Sequence, residues 1–367
     1  MIPGIKSFLK ARLNLLAGQW HVNANWPQEL NMAQDIHRQN PHTPPLQRGA
    51  WRDFRFGVKQ GGIALILLAV LGLACGPSAG PETRLPVVAT TSILGDMAKN
   101  VGGNLVEVQV LIPPGTDVHS YQSRPEDSIA ISKARLIVSN GRGLDAFLDA
   151  TLASTRQASA IHVVASQGLE ALPVMELEIP SASGTEEGQE RHEEPEHLEG
   201  DPHHWQDPLQ AIHYVEQIRH GLSQADPANA SLYQANAAAY IQQLRQLDSE
   251  IAGILEQVPP QRRHLVTFHD AFGHFGRRYG WQVSAFVPHS AGDVTPESIV
   301  HILDIIKADN VPAIFTEPQY LQKAVEQTAR DAGVKVGAIY SDTLDSRVPT
   351  YIDMMRFNAR SLADNLR

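Results

Sequence analysis

The sequence predicts an α/β protein in two lobes, each with a parallel-type sheet flanked by helices, joined by one long helix. Three observations carry this. From residue 84 onward, short apolar runs rich in Val and Ile alternate with amphipathic helical stretches, the rhythm of a parallel sheet covered on both faces. Between about 231 and 258 the apolar spacing becomes helical without a break. After Pro259 and Pro260, which cannot continue a helix, the alternation returns.

In the first half, "LPVVAT" reads as a buried strand, "SILGDMAKNV" as a helix and "VEVQVLI" as an alternating strand. "SRPEDSIAISKA" reads as a helix opened by Ser123, with Glu126 at the capping-box spacing. "RLIVSN" is a strand, "GLDAFLDATLAS" a helix and "AIHVVA" a strand. Residues 180–200, rich in Glu, Ser and Gly and carrying His192 and His197, break the rhythm and read as a mobile loop. The long helix is read from Leu232, Ala235, Ala239, Leu244, Leu247, Ile251, Leu255 and Val258. Beyond it come "HLVTF" (strand), "DAFGHFGRRYG" (helix) and "WQVSAFV" (strand). A helix capped by Thr295 with Pro296 in its first turn follows, then "PAIFT", "YLQKAVEQTARDAG", "VKVGAI" and a closing helix over "TYIDMMRFNARSLADNL".

The expected layout is therefore residues 1–57 as disorder or a mis-assigned start, 58–75 as a signal segment and 76–83 as a Gly/Pro/Ser tether. Residues 84–228 form the first lobe, 229–258 the linking helix and 259–367 the second lobe. The net charge of −10 lacks the basic excess of a nucleic-acid binder. The single cysteine, Cys75, excludes an intrachain disulfide and any Cys-rich zinc site. It directly follows "GGIALILLAVLGLA", an apolar run of signal-peptide length preceded by Arg52, Arg55 and Lys59. This resembles a bacterial lipoprotein signal with Cys75 as the lipidated residue, although Gly72 stands where such signals carry leucine and Leu73 comes one step late. Export and a lipid anchor at the outer face of the cytoplasmic membrane, or a periplasmic location, follow from that reading. Residues 1–57 precede the signal oddly, and initiation is expected nearer Val58.

Sixteen histidines make any single one weak evidence. Four positions stand out by context. His119 follows a strand and precedes a helix, and His269 lies between strand end and helix start. Asp342 comes just past a strand, and His203 sits in "DPHHWQDP". Ligands of open α/β sheets bind beyond the carboxyl ends of strands. Three imidazoles and one carboxylate suit a four-coordinate site for a borderline-soft divalent ion. Each residue also has an ordinary reading as a polar cap or hydrogen bonder, and the residues alone leave that choice open.

"PPGTDVHSY", "DPHHWQDP", "FHDAFGHFGRRYG", "IFTEPQ" and "YSDTL" occur in this order. Over about residues 84–367 they resemble the zinc and manganese subgroup of bacterial ABC-importer solute-binding proteins. The resemblance implies two lobes linked by a rigid helix, with metal between them held by His119, His203, His269 and Asp342. It implies a carrier, not an enzyme, acting as a monomer with an ABC permease as partner. Histidine at the third ligand position and a loop before the second imply Zn²⁺, with Mn²⁺ the alternative; imidazole also favours zinc chemically. His192 and His197 are read either as a weak capture site or as part of a solvated acidic loop. His274, where the family often has tyrosine, is placed behind the site because a helix from Asp270 would turn it away. His204 is read as a solvent-facing bystander. Two other classes are weighed: an exported zinc hydrolase using Glu317 as base, which needs an open coordination position, and a metal-dependent adhesin. Glu317 is read more simply as an anchor for a ligand's hydrogen bond.

Overall fold

The computed structural model describes residues 84–173, 200–287, 294–320 and 323–367. Cys75, the signal segment, the tether, His192 and His197 lie outside them. Strands β1 (Leu85–Ala89), β2 (Val106–Val110), β3 (Leu136–Ser139) and β4 (Ile161–Val164) form one sheet in the order β2-β1-β3-β4, parallel at every pairing. In the second half β5 (His264–His269) pairs in parallel with β6 (Gln282–Val287), and β7 (Ala313–Thr316) with β8 (Lys335–Ala338). The helices are α1 (Ser92–Gly102), α2 (Pro125–Lys133), α3 (Asp149–Thr155), α4 (Pro208–Ala225), α5 (Ala230–Leu255), α6 (Gly273–Tyr279), α7 (Pro296–Ala308), α8 (Lys323–Ala332) and α9 (Tyr351–Leu366). No helix among the described residues is long and apolar enough to cross a membrane.

Both faces of the strands are covered, as all-parallel pairing demands. On one side of the first sheet Val88 and Ile137 pack with Ile131 of α2 and Leu148. On the other, Val87, Leu136 and Val138 join α1, α4 and α5. That cluster continues through Tyr214, Leu244 and Ile251 to Phe315, Tyr340 and Leu362, so one core serves both halves. A separate cluster of Val266, Phe286, Ile302, Ile314 and Val325 covers the far side of the second half's strands.

Four local expectations need correction. First, Ser123 does not cap α2. The helix starts at Pro125, and Asp127, not Glu126, returns to the start by accepting from Arg124 N at 2.8 Å. Second, the segment after "DPHHWQD" had no assigned element; it forms α4, capped by Asp207, which accepts from Leu209 N at 2.9 Å, with Pro208 at the first turn.

Third, the first turns of α5 bury a different face. Tyr233, Ala237 and Tyr240 point inward, whereas Leu232 is half exposed. Tyrosine is amphipathic: its ring packs while its hydroxyl finds a partner. Tyr233 Oη donates to Asp226 Oδ2 at 2.7 Å. Counting only aliphatic residues therefore rotates the apparent apolar stripe. Fourth, α6 begins at Gly273, not Asp270, and ends at Gly280, whose φ of 70° is the left-handed conformation that suits glycine. The long helix is tied to α6 by Asp248, which accepts from Arg278 Nε at 2.8 Å and Tyr279 Oη at 3.1 Å.

Candidate metal centre

The sequence places each candidate at the end of a strand or in a connecting turn. His269 is the last residue of β5. Asp342 follows β8, and Glu317 directly follows β7. His119 lies in the connection from β2 to α2. His203 precedes a 3₁₀ turn, His204–Gln206, that leads into α4. That turn is held to the Asp342 segment: Trp205 Nε1 and Gln206 Nε2 donate to Ser341 O at 2.8 and 2.9 Å. Gly115 N, from the His119 segment, donates to Thr343 Oγ1 at 2.7 Å.

These ties bring His119, His203, His269 and Asp342 together, with one donor atom of each within 4.8 Å of the others. His119 Nε2 and His203 Nε2 are 3.3 Å apart, and His269 Nε2 is 3.3 Å from Asp342 Oδ2. His203 Nε2 to Asp342 Oδ1 is 3.6 Å, and His119 Nε2 to Asp342 Oδ2 is 3.9 Å. Donors about 2.0–2.1 Å from a tetrahedral ion stand about 3.3 Å from one another. The set is thus close to the spacing for an ion with little movement. Asp342 Oδ1 is enclosed and accepts no hydrogen bond, a cost a cation would remove.

Two of the imidazoles are oriented from behind. His203 Nδ1 lies 2.7 Å from Asp201 Oδ1, which also accepts from His203 N at 2.9 Å. His269 Nδ1 lies 2.8 Å from Glu317 Oε2. A carboxylate there fixes the tautomer, turns Nε2 toward the centre and raises its basicity. Asp201 was not singled out from the sequence, although an aspartate two residues before a histidine is the Asx-turn spacing that would have found it.

Burial would raise the Asp342 carboxyl, but His269, His203 and His119 hold it well below the usual carboxylate range. Burial opposes a charged imidazole at His269, yet Glu317 and Asp342 hold its proton well above the usual histidine range. In Asp201, burial is likewise outweighed by its hydrogen bond to His203 and that ring's charge, and its pKa is lowered.

His204 corrects a further expectation: it is fully buried and not solvent-facing. Its Nδ1 donates to Gln210 Oε1 at 2.6 Å, and its ring packs at a tilt of 44° against His274 with centroids 4.1 Å apart. His274, in the first turn of α6, lies with Nε2 3.2 Å from Asp201 O. The layer is tight, since a Cβ at Gly273 would stand 2.7 Å from Asp201 Oδ2. These two histidines therefore form the packing behind Asp201 and His203.

The family model "Zinc-uptake complex component A periplasmic" matches residues 87–365. The chain belongs to this family. It is 30% identical to the manganese-binding lipoprotein MntA of Halalkalibacterium halodurans, over 82% of this chain and 96% of that one. It is 29% identical to the iron-binding protein YfeA of Yersinia pestis, over 81% of this chain and 91% of that one. Among solved structures, the periplasmic zinc-binding protein TroA from Treponema pallidum aligns with a TM-score of 0.66 at 28% identity, covering 77% of this chain and 99% of that one. A Mn-bound periplasmic metal-binding protein from Candidatus Liberibacter asiaticus aligns with a TM-score of 0.67 at 26% identity, covering 78% of this chain and all of that one. The chain is accordingly the extracytoplasmic, metal-binding component of an ABC importer and not an enzyme.

Proposed function

We propose that the chain captures Zn²⁺ on His119, His203, His269 and Asp342 and delivers it to an ABC permease. The observation that carries this reading is the donor set itself: three imidazoles and one carboxylate, three of the four buried, with one donor atom of each within 4.8 Å of the others. Imidazole-rich, four-coordinate sites favour zinc, whereas manganese prefers more oxygen and a higher coordination number. Four protein donors leave a bound zinc no open position for an activated water, in keeping with carriage and not hydrolysis. Glu317, the one candidate base, is engaged with His269 at 2.8 Å.

Manganese is the second reading, favoured by the manganese-binding relative. Lipidation at Cys75 belongs to the same proposal, supported by relatives described as lipoproteins. So do action as a monomer and the division into lobes at 84–228 and 259–367. The decisive experiment is metal analysis of protein purified without added metal, followed by competition between zinc and manganese. One tightly held zinc per chain that manganese fails to displace is the expected result. Preferential manganese retention would overturn the zinc assignment, and absence of stoichiometric metal would overturn the site.

A further inference from the structure

Resting on that reading, we propose that Tyr320 is a positioning residue that couples metal loading at Asp342 to fixing of the His119 loop. Tyr320 lies four residues past the end of β7. Its hydroxyl oxygen is 3.2 Å from Asp117 Oδ1 and 3.3 Å from Asp342 Oδ2. Asp117 Oδ1 also accepts from His119 N at 3.0 Å. The phenol therefore stands between two segments that each carry a metal donor, distant in the sequence. Its ring is seated on Phe268 at 4.8 Å and on His269 at 5.3 Å between centroids, so packing sets where the oxygen lies.

A tyrosine hydroxyl has one proton to donate, and here two carboxylates compete for it. Without metal, Asp342 Oδ2 is a carboxylate acceptor 3.3 Å from the hydroxyl. A dication on Asp342 draws its charge and weakens that acceptor. Asp117 is only partly buried and is not among the metal donors. The hydroxyl then turns toward Asp117, which holds the backbone of His119. His119 is the most exposed of the four donors, its side chain 10% accessible against 2% for His203 and none for His269 and Asp342. Loading thus tightens the loop of the ligand that water reaches most easily, and slows release.

The test is the rate of zinc release to an excess of chelator from the full chain. Wild type, Tyr320→Phe, Asp117→Ala and the double variant are compared. Tyr320→Phe is expected to speed release about tenfold, the effect of one charge-assisted hydrogen bond. Asp117→Ala, which also removes the acceptor of His119 N, is expected to speed it at least as much, and the double variant is expected to match Asp117→Ala, because the Tyr320 link is already broken there. X-ray absorption of the zinc should give the same ligand set in all four proteins. Zinc loading should perturb the tyrosine ultraviolet spectrum of wild type and not of Tyr320→Phe. Release from Tyr320→Phe at the wild-type rate, or a double variant about tenfold faster than Asp117→Ala, would overturn the proposal while leaving the metal site standing. A wild type that binds no stoichiometric zinc would overturn both.

Discussion

At His203 and His204 one step along the chain separates a candidate metal donor from a packing residue. His203 reaches the centre with Asp201 behind it; His204 enters the 3₁₀ turn and packs at a tilt against His274. His203→Ala is expected to weaken zinc binding by at least about 100-fold, since even losses behind a ligand cost about 10–100-fold. His204→Ala should keep one zinc per chain and instead lower stability by about 1–3 kcal/mol. Isothermal titration and denaturant melts separate the two. The buried histidine pair also gives a pH dependence. Burial and the neighbouring His274 push His204 down to about 4, and burial lowers His274 as well. The folded pKa lies below the unfolded value near 6.5, so the unfolded chain takes up protons first. The contribution of this pair to the stability of the metal-free protein should be flat above pH 6.5 and fall from there toward pH 4. His274→Gln should reduce that slope in melts at several pH values. At this scale His119, His203, His269 and Asp342 were legible because each follows a strand or opens a turn in a recognisable motif. Tyr320 was not, because nothing in "FTEPQY" says that its hydroxyl meets Asp117.

Among the elements, the strands were read most securely, since their Val- and Ile-rich runs are short, apolar and bounded by turns. Helix α4 keeps the helical period in its buried positions, Ala211, Tyr214, Val215, Ile218, Leu222 and Ala225, with Gln210, His213 and Gln217 off that face. Two of these are polar for a local reason: Gln210 Oε1 accepts from His204 Nδ1, and His213 Nε2 meets Gln167 O at 2.8 Å. The register of α5 offers a direct measurement. Leu244→Ala, at a fully buried position, should cost about 2–5 kcal/mol. Leu232→Ala, at a position half exposed, should change stability by less than about 0.5 kcal/mol. Equal effects in urea melts would mean the aliphatic stripe, and not the tyrosine-containing one, faces the core.

At the scale of the whole molecule, a ligand that binds only the folded chain stabilises it through mass action. Saturating zinc, about a thousandfold above its dissociation constant, should add about 4 kcal/mol, and a chelator should remove that gain in a thermal melt. Deleting residues 184–199 should leave one high-affinity zinc per chain, because all four donors lie outside that segment; loss of stoichiometric binding would place the segment in the primary site. The sequence by itself determined the α/β rhythm and the long helix, and pointed to four candidate donors, because periodicity, Pro/Gly punctuation and ordered motifs are local properties of the chain. Only the tertiary structure decided that the candidate donors stand within 4.8 Å of one another, that Asp201 and Glu317 lie against two of them, that His204 is buried and that Tyr320 bridges two loops. Those facts depend on which strand ends the shared core brings together, and residues far apart in sequence carry no local mark of where they will meet.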